Sequence, residues 1–237
     1  MAVRENIKTL TRPAAAPAAT PAATKGPSDQ VLEDLRRRIV SHDLPPGTRL
    51  REQDLAGEFG VSRARIRDAF GILEERGLIE RIPNRGAIVT RLQVEHINEL
   101  FEVREVLEAQ MVRLATEKAP PETWDELIEV FGSAMDGTLE RHDLDSYAEA
   151  IELFRQRCLE AADNEVLSNI LDGLYDRIHA LIRRLILVPG RAAEGRRQHQ
   201  DILKAMRAGK AEKAERLKRE NIRNAMAWFR DYQKYLL

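Results

Sequence analysis

The chain is mainly α: a small N-terminal helical unit with a β-hairpin, followed by an all-α bundle of about six helices. Three observations predict this. Aromatic residues are only 5% of the 237, against abundant Ala, Leu, Glu and Arg, a composition that suits helix packed on helix. Apolar residues recur at helical spacing throughout 93–237. Two β-prone runs, Leu78-Ile79-Glu80-Arg81-Ile82 and Ala87-Ile88-Val89, flank the turn Pro83-Asn84-Arg85-Gly86.

Taken in order, residues 1–27 are expected to be a disordered Ala/Pro-rich tail, because repeated Pro blocks a continuous helix and the stretch has little to bury. Ser28 is positioned to cap a first helix with Val31, Leu32, Leu35 and Ile39 on one face. Pro45-Pro46-Gly47 ends it. A short second helix runs through Leu55 and Phe59, and Gly60 suits its left-handed end. Ser62 caps a third helix whose apolar face is Ile66, Ala69, Phe70 and Leu73, and Gly77 closes it. The hairpin follows. Helix, short helix, tight turn, helix, hairpin is the order of a winged helix-turn-helix, assigned to 28–92. The bundle is assigned to 93–237, with breaks near Pro120-Pro121, His142-Asp143, Asp163-Asn164, Pro189-Gly190 and Ala208-Gly209.

At 43% apolar and 32% charged, the chain has enough hydrophobic material for a real core. A lone Cys158 excludes a disulfide framework, a Cys-based zinc finger and an iron–sulfur site, and fits a cytoplasmic setting. The run Leu185-Ile186-Leu187-Val188 is far short of the ~20 residues a membrane span needs. The net charge of −1 hides an asymmetry: +3 over residues 1–28, +1 over 29–92 and −5 over 93–237. All twelve cations of the middle segment are Arg, the side chain suited to bidentate contact with phosphate and guanine.

The third helix opens Ser62-Arg63-Ala64-Arg65-Ile66-Arg67. Ile66 must face the core, so Arg63 and Arg67, four apart, share an outward face at the end that recognition helices present to the major groove. Ser62 and the first backbone N–H groups favour a phosphate there. Small Ala64 permits close approach and contact with a thymine methyl. The hairpin adds Arg81 and Arg85, with Gly86 allowing the backbone near a duplex. An Arg-rich solvated helix face is the plainer reading. Placement after a Gly-Val-Ser turn, with matching Arg in the hairpin, outweighs it.

These residues carry a resemblance. Leu44-Pro45-Pro46-Gly47-Thr48-Arg49-Leu50, Asp54-Leu55-Ala56, Gly60-Val61-Ser62-Arg63 through Arg67, Leu73-Glu74, Gly77-Leu78 and Pro83-Asn84-Arg85-Gly86-Ala87 are similar to the GntR family of bacterial transcription regulators. The helical remainder resembles the FadR-type (FCD) effector domain. Its landmarks are Phe101-Glu102-Val103-Arg104, Leu107-Glu108, Phe154, Ala161-Ala162-Asp163-Asn164, His199, Ile202-Leu203 and Ala208-Gly209. The resemblance implies a homodimer in which each winged unit takes half of a short palindromic operator in double-stranded DNA. It also implies that Arg49 and Gln53 lie at the DNA, that Arg63 and Arg67 contact bases or phosphates, and that the Arg85-Gly86 tip enters the minor groove. Gln53 stands where some members carry a DNA-contacting Arg. Arg51 stands where an N-cap Ser or Thr is common, so the second helix should be less well capped.

In the bundle, four polar side chains fall on apolar helical stripes: Arg104 among Leu100, Phe101, Leu107 and Met111; Arg155 beside Ile151, Cys158 and Leu159; His199 with Gly195, Ile202, Leu203 and Met206; and Asn221 with Leu217, Ala225 and Trp228. Each alone has a plainer reading. Arg104 can pair with Glu108, His199 can be a satisfied core histidine, Arg155 can snorkel, and Asn221 can bridge two helices. Together they point to a pocket with convergent polar groups. Many members of the resembled family hold a divalent metal there through Asp-x-x-x-His and two later His residues. The matching positions here are Ile151, Arg155, His199 and Asn221, a poor set for zinc, so neither metal nor cofactor is expected. A guanidinium in place of the ion predicts a small organic acid or other anion as effector, held by Arg155 with Arg104, His199 and Asn221.

The function expected is a ligand-responsive regulator, a repressor, acting in the cytoplasm and not at a membrane. A metal-responsive regulator of the same family is the alternative. An enzyme is disfavoured: His142, Asp143 and Asp145 cluster at a helix junction without a nucleophile, and no phosphate loop or nucleophile motif appears. The acidic bundle argues against an architectural DNA binder.

Overall fold

The computed structural model describes residues 27–82, 86–132, 135 and 143–236. The expected tail and the turn residues Pro83, Asn84 and Arg85 lie outside them. Among the described residues the chain forms nine α-helices, a 3-10 turn and one three-stranded sheet. No helix among them is long and apolar enough to cross a membrane.

Two compact units are present. Of the described residues, one holds 27–97 together with Asp172–Ala180, and the other holds Asn98–Leu171 and the chain from Leu181. In the first, α1 (Pro27–Val40) begins on Pro27, whose missing N–H costs nothing in a first helical turn. Ser28, expected as the cap, therefore falls inside the helix. Val31, Leu35 and Ile39, spaced four apart, are its buried face. α2 (Glu52–Phe59) follows Arg51, which makes no side-chain capping bond, as its residue type predicts. Glu52 and Asp54 in its first turn offset the exposed N–H groups. α3 (Arg63–Glu75) packs Ile66, Ala69, Phe70 and Leu73 inward.

The hairpin is β2 (Ile79–Ile82) and β3 (Gly86–Val89), with Ile79 opposite Val89 and Ile82 opposite Gly86. A third strand was not foreseen: β1 (Arg49–Leu50) pairs antiparallel with β3, Arg49 opposite Ile88, in the order β1-β3-β2. Two residues are too short a run to show period-two alternation, although Leu50 points into the core while Arg49 stays outside.

The second unit is helical, as expected. It comprises α4 (Val94–Lys118) from Asn98 onward, the 3-10 turn Pro121–Trp124, α5 (Asp125–Phe131), α6 (Leu144–Ala162), α7 (Glu165–Ile186) outside Asp172–Ala180, α8 (Arg191–Arg207) and α9 (Ala211–Leu236). Starts and stops follow local chemistry. Asp143 accepts from the Ser146 amide at 3.2 Å and Asn164 from the Leu167 amide at 3.0 Å. Asp163 breaks the chain between α6 and α7 in a left-handed conformation, φ +42°. The acidic cluster weighed as catalytic is thus structural where described: Asp143 is a cap, and Asp145 pairs with Arg183 at 2.7 Å. His142 lies outside the described residues. Trp124, Phe131, Tyr147, Phe154, Phe101 and Phe229 fill the core.

Candidate functional site

The first candidate surface is built by α2, the turn after it, α3 and the sheet. Gly60 ends α2 at φ +63°, a conformation open to glycine, and lets the chain reverse within three residues. Ser62 is extended, and its side chain accepts from the Arg65 amide at 3.4 Å, closing the start of α3. Because the opposite face of α3 is core, Arg63 and Arg67 project outward, with side chains 61% and 57% exposed. Ala64 is exposed beside them.

An open concavity of about 920 Å³ brings together Arg49, Arg51, Gln53, Arg63, Arg67 and Arg81 with Glu52, Asp54 and Gly86. Five arginines against two carboxylates leave a net of three positive charges on its walls. Six of the nine sequence-predicted DNA positions therefore line one surface. Ser62 and Ala64 stand at the start of the helix that forms part of it, and Arg85 lies outside the described residues.

Two of these residues have structural duties the sequence did not suggest. Arg81 Nη2 donates to the Arg67 carbonyl at 2.8 Å, and its Nε pairs with Glu74 at 3.1 Å, so it braces α3 from the neighbouring strand. Gly86, at φ +85°, approaches β1 closely: a Cβ there would sit 2.5 Å from the Leu50 carbonyl oxygen. That contact explains the glycine. Sequence reasoning missed Arg51 and Glu52 as members of the surface. The signal for Arg51 was its period-two spacing from Arg49 across the buried Leu50.

The second candidate lies in the helical unit. Glu108, fully buried on α4, accepts from Arg104 Nε at 2.7 Å through Oε1, and its Oε2 lies 2.9 Å from Lys218 Nζ on α9. Lys218 also donates to Asn221 Oδ1 at 3.4 Å, and Asn221 Nδ2 donates to Gln198 Oε1 at 2.8 Å. The Lys218 ammonium lies 5.4 Å from the centre of the Phe154 ring. His199 stacks on Phe131 at 5.0 Å and meets the Phe154 edge at 5.1 Å. Burial first, and then the Lys218 charge, push its pKa down to about 3. The neutral ring must carry its proton on Nδ1, because Nδ1 sits 2.8 Å from the Gly195 carbonyl, which can only accept. Nε2 is then a bare acceptor, and it is buried with no hydrogen-bond partner among the described residues.

Arg191 at the start of α8 is also buried, and its Nη1 has no hydrogen-bond partner among the described residues. Burial pushes its pKa down. Gly195 makes room for it: a Cβ there would lie 2.7 Å from Arg191 Nη1 and would collide with the Tyr147 hydroxyl. Among the buried side chains of this set the cations Arg104, Arg191 and Lys218 outnumber the carboxylate Glu108, and the less buried Glu194 also acts on Arg191.

Of the four residues predicted here, Arg104, His199 and Asn221 join the cluster. Arg155, its side chain 14% exposed, holds Glu152 one turn back through Nε at 3.0 Å and Nη2 at 2.5 Å. The buried cations beside His199 include Lys218 and Arg191; Lys218 was missed because its stretch looks like a solvated helix face, and Arg191 because it directly follows the Pro189-Gly190 break. The donors do not fit a metal. One imidazole and one amide are flanked by an ammonium and two guanidinium groups, and the carboxylate is already shared by Arg104 and Lys218. No group of three or more His, Cys, Asp or Glu among the described residues could hold an ion.

Two family models match the chain. Residues 27–89 match the family model described as bacterial regulatory proteins, gntR family, and residues 99–224 match the FCD domain. The HTH-type transcriptional repressor RspR of Escherichia coli is 28% identical over 192 residues, covering 80% of this chain and 82% of that one. The gluconate operon transcriptional repressor of Bacillus subtilis is 30% identical over 157 residues, 65% of this chain and 62% of that one. Among solved structures, Escherichia coli McbR/YncC shares the fold, with a TM-score of 0.71 at 23% identity over 88% of this chain and all of that one.

Proposed function

This chain belongs to the gntR family of bacterial regulatory proteins, a family of transcriptional regulators rather than enzymes, and from that premise we propose that it is a cytoplasmic repressor that binds a short palindromic operator as a homodimer and is switched by a small organic anion. The observation that carries the DNA reading is the outward pair Arg63 and Arg67 on the first two turns of α3, set in a concavity of net positive charge. Each copy offers one such helix to one half-site. Arg49, Arg51 and the Ser62 end of α3 meet phosphates, Gln53 and Ala64 meet base edges, and Arg81 holds the helix in place with the Gly86 strand beside it. Arg85 is assigned to the minor groove on the family resemblance alone.

The effector reading rests on two unused groups in the helical unit: a cationic donor, Arg191 Nη1, and a neutral acceptor, His199 Nε2. A ligand that satisfies both carries a carboxylate and a hydroxyl. Arg104, Lys218 and Asn221 supply further charge and hydrogen bonds, and Arg155 takes part where an incoming carboxylate displaces Glu152. A hydroxy acid fits this set. The Bacillus subtilis relative is named for a gluconate operon, and gluconate belongs to that chemical class, which makes it the first probe. A metal-assisted effector is disfavoured by the donor set. The ligand acts by preferring one arrangement of the dimer over another, and its effect on the operator equals that difference in affinity.

Selection of random duplexes on the purified chain tests the first half. Enrichment of an inverted repeat is expected, and enrichment of no sequence contradicts it. Calorimetric titration with a panel of hydroxy acids, gluconate first, tests the second. Arg191→Ala and His199→Leu should each weaken binding at least about tenfold, the loss of one charge-assisted or buried hydrogen bond. Equal affinity in wild type and Arg191→Ala removes the buried cluster from the mechanism.

A further inference from the structure

Glu52 opens α2, and a single carboxylate oxygen, Oε2, lies 3.3 Å from Arg63 Nη2 and 3.2 Å from Arg67 Nε. The Glu52 side chain is 20% exposed, while the two arginines it holds are largely in solvent. One anion thus bridges two cations a helical turn apart. It sits in a concavity where Arg49 and Arg51 form no ion pair among the described residues. The backbone of α3 is braced at the same residue, because the Arg67 carbonyl accepts from Arg81 at 2.8 Å.

The choice of atoms matters. Arg67 meets Glu52 through its Nε, so its two terminal nitrogens are not the atoms engaged there, and these are a pair that can form a fork on guanine O6 and N7. Arginine is a long side chain that loses rotamer freedom when it grips a base, and a clamp at its root takes that loss before DNA arrives. The same carboxylate also cancels part of the charge that attracts any phosphate backbone, whatever its sequence.

Resting on the DNA reading above, we propose that Glu52 is a positioning residue that sets specificity: it aims Arg63 and Arg67 at base edges and occupies them in place of a phosphate, so that it suppresses binding to arbitrary duplexes more than binding to the operator. A contribution confined to the start of α2, where an acidic side chain favours the helix dipole, would lower stability and weaken all DNA alike.

The full chain is titrated by fluorescence anisotropy against two duplexes over a series of potassium chloride concentrations. One duplex is recovered by selection with the wild type, and the other is a scrambled sequence of equal composition. Glu52→Gln should bind the scrambled duplex about three- to tenfold tighter, with the slope of log K against log salt steeper by about one. Its preference for the selected duplex should fall by about tenfold or more. Glu52→Asp keeps the charge and should stay near wild type on the scrambled duplex. An unchanged scrambled affinity and slope for Glu52→Gln overturns the proposal. So does a proportional loss on both duplexes together with a lowered Tm. The double variant Arg63→Ala/Arg67→Ala separates this from its premise. If that variant binds the selected duplex like wild type, the DNA reading itself fails. If it loses discrimination while Glu52→Gln retains it, the role of Glu52 alone is refuted.

Discussion

Glu108→Gln keeps the volume of a fully buried side chain but removes the carboxylate that answers two cations. Arg104 Nε at 2.7 Å and Lys218 Nζ at 2.9 Å both lose a charged partner, and both side chains are at least nine-tenths buried. Lys218 retains Asn221 Oδ1 at 3.4 Å, a neutral and long contact. Removing one partner of a buried ion pair costs about 3–5 kcal/mol. For a chain of this size each kcal/mol shifts Tm by roughly 2–4 °C, so a fall of about 6–20 °C is expected. Lys218→Met alone leaves Glu108 with Arg104 and should cost less. Because the two residues share one interaction, Glu108→Gln/Lys218→Met should be more stable than the sum of the single losses implies, with a coupling of about 1–3 kcal/mol. Thermal melts and denaturant unfolding of the four proteins at neutral pH measure this cycle. A Glu108→Gln variant within about 1 kcal/mol of wild type, or a cycle additive within about 0.5 kcal/mol, would refute the picture of one carboxylate holding a buried cation pair.

Three further outcomes follow from local geometry. The folded His199 ring takes a proton only near pH 3, against about 6.5 when unfolded, so the unfolded chain binds more protons between those values. Stability should fall as pH drops through that window, by up to ~1.4 kcal/mol per pH unit. His199→Phe should flatten that part of the denaturant-derived stability profile, and an unchanged profile would be the contrary result. Gly86→Ala forces a Cβ to 2.5 Å from the Leu50 carbonyl oxygen at φ +85°, and a loss of about 1–3 kcal/mol in unfolding free energy is expected; a change under about 0.5 kcal/mol would show that the strands part at little cost. Ser62→Ala removes a cap whose bond is long at 3.4 Å, so denaturant unfolding should show a loss near the low end of the usual range, about 0.5–1 kcal/mol.

The helix-turn-helix was legible because its signals are local. Ile66, Ala69, Phe70 and Leu73 mark a buried stripe by spacing alone, and the same stripe dictates where Arg63 and Arg67 point. Gly60 and Gly77 announce backbone conformations that other residues avoid, and both are left-handed, at φ +63° and +67°. The hairpin was legible from its turn, whereas β1 owes its existence to β3, a partner some forty residues away. Bundle helices and their breaks were also readable, since Asp143 and Asn164 cap with their own side chains.

What sequence could not supply is pairing at long range. Arg104 and Glu108 are one turn apart and their contact was foreseeable, but the second oxygen of Glu108 belongs to Lys218, 110 positions later. Lys218 lies in a strongly charged stretch and has the look of a surface residue until α9 is packed. Arg155 shows the converse: its apolar stripe gave no hint of a local partner, yet Glu152, three residues back, pairs with it. Arg191 follows the Pro189-Gly190 break and had no periodicity to place it. Its burial depends on the space left by Gly195, which only the packed structure displays.

The central claim is that two arginines on one helix read DNA. Titration of the selected duplex with wild type, Arg63→Ala, Arg67→Ala and the control Arg157→Ala tests it most directly. Arg157 is an exposed-side partner of Glu126 in the helical unit. Each variant at position 63 or 67 should lose about 1–3 kcal/mol of binding, roughly 5- to 150-fold, with relaxed preference at the base it contacts. Arg157→Ala should bind as wild type does. Equal affinity and equal sequence preference across all four proteins would contradict the account.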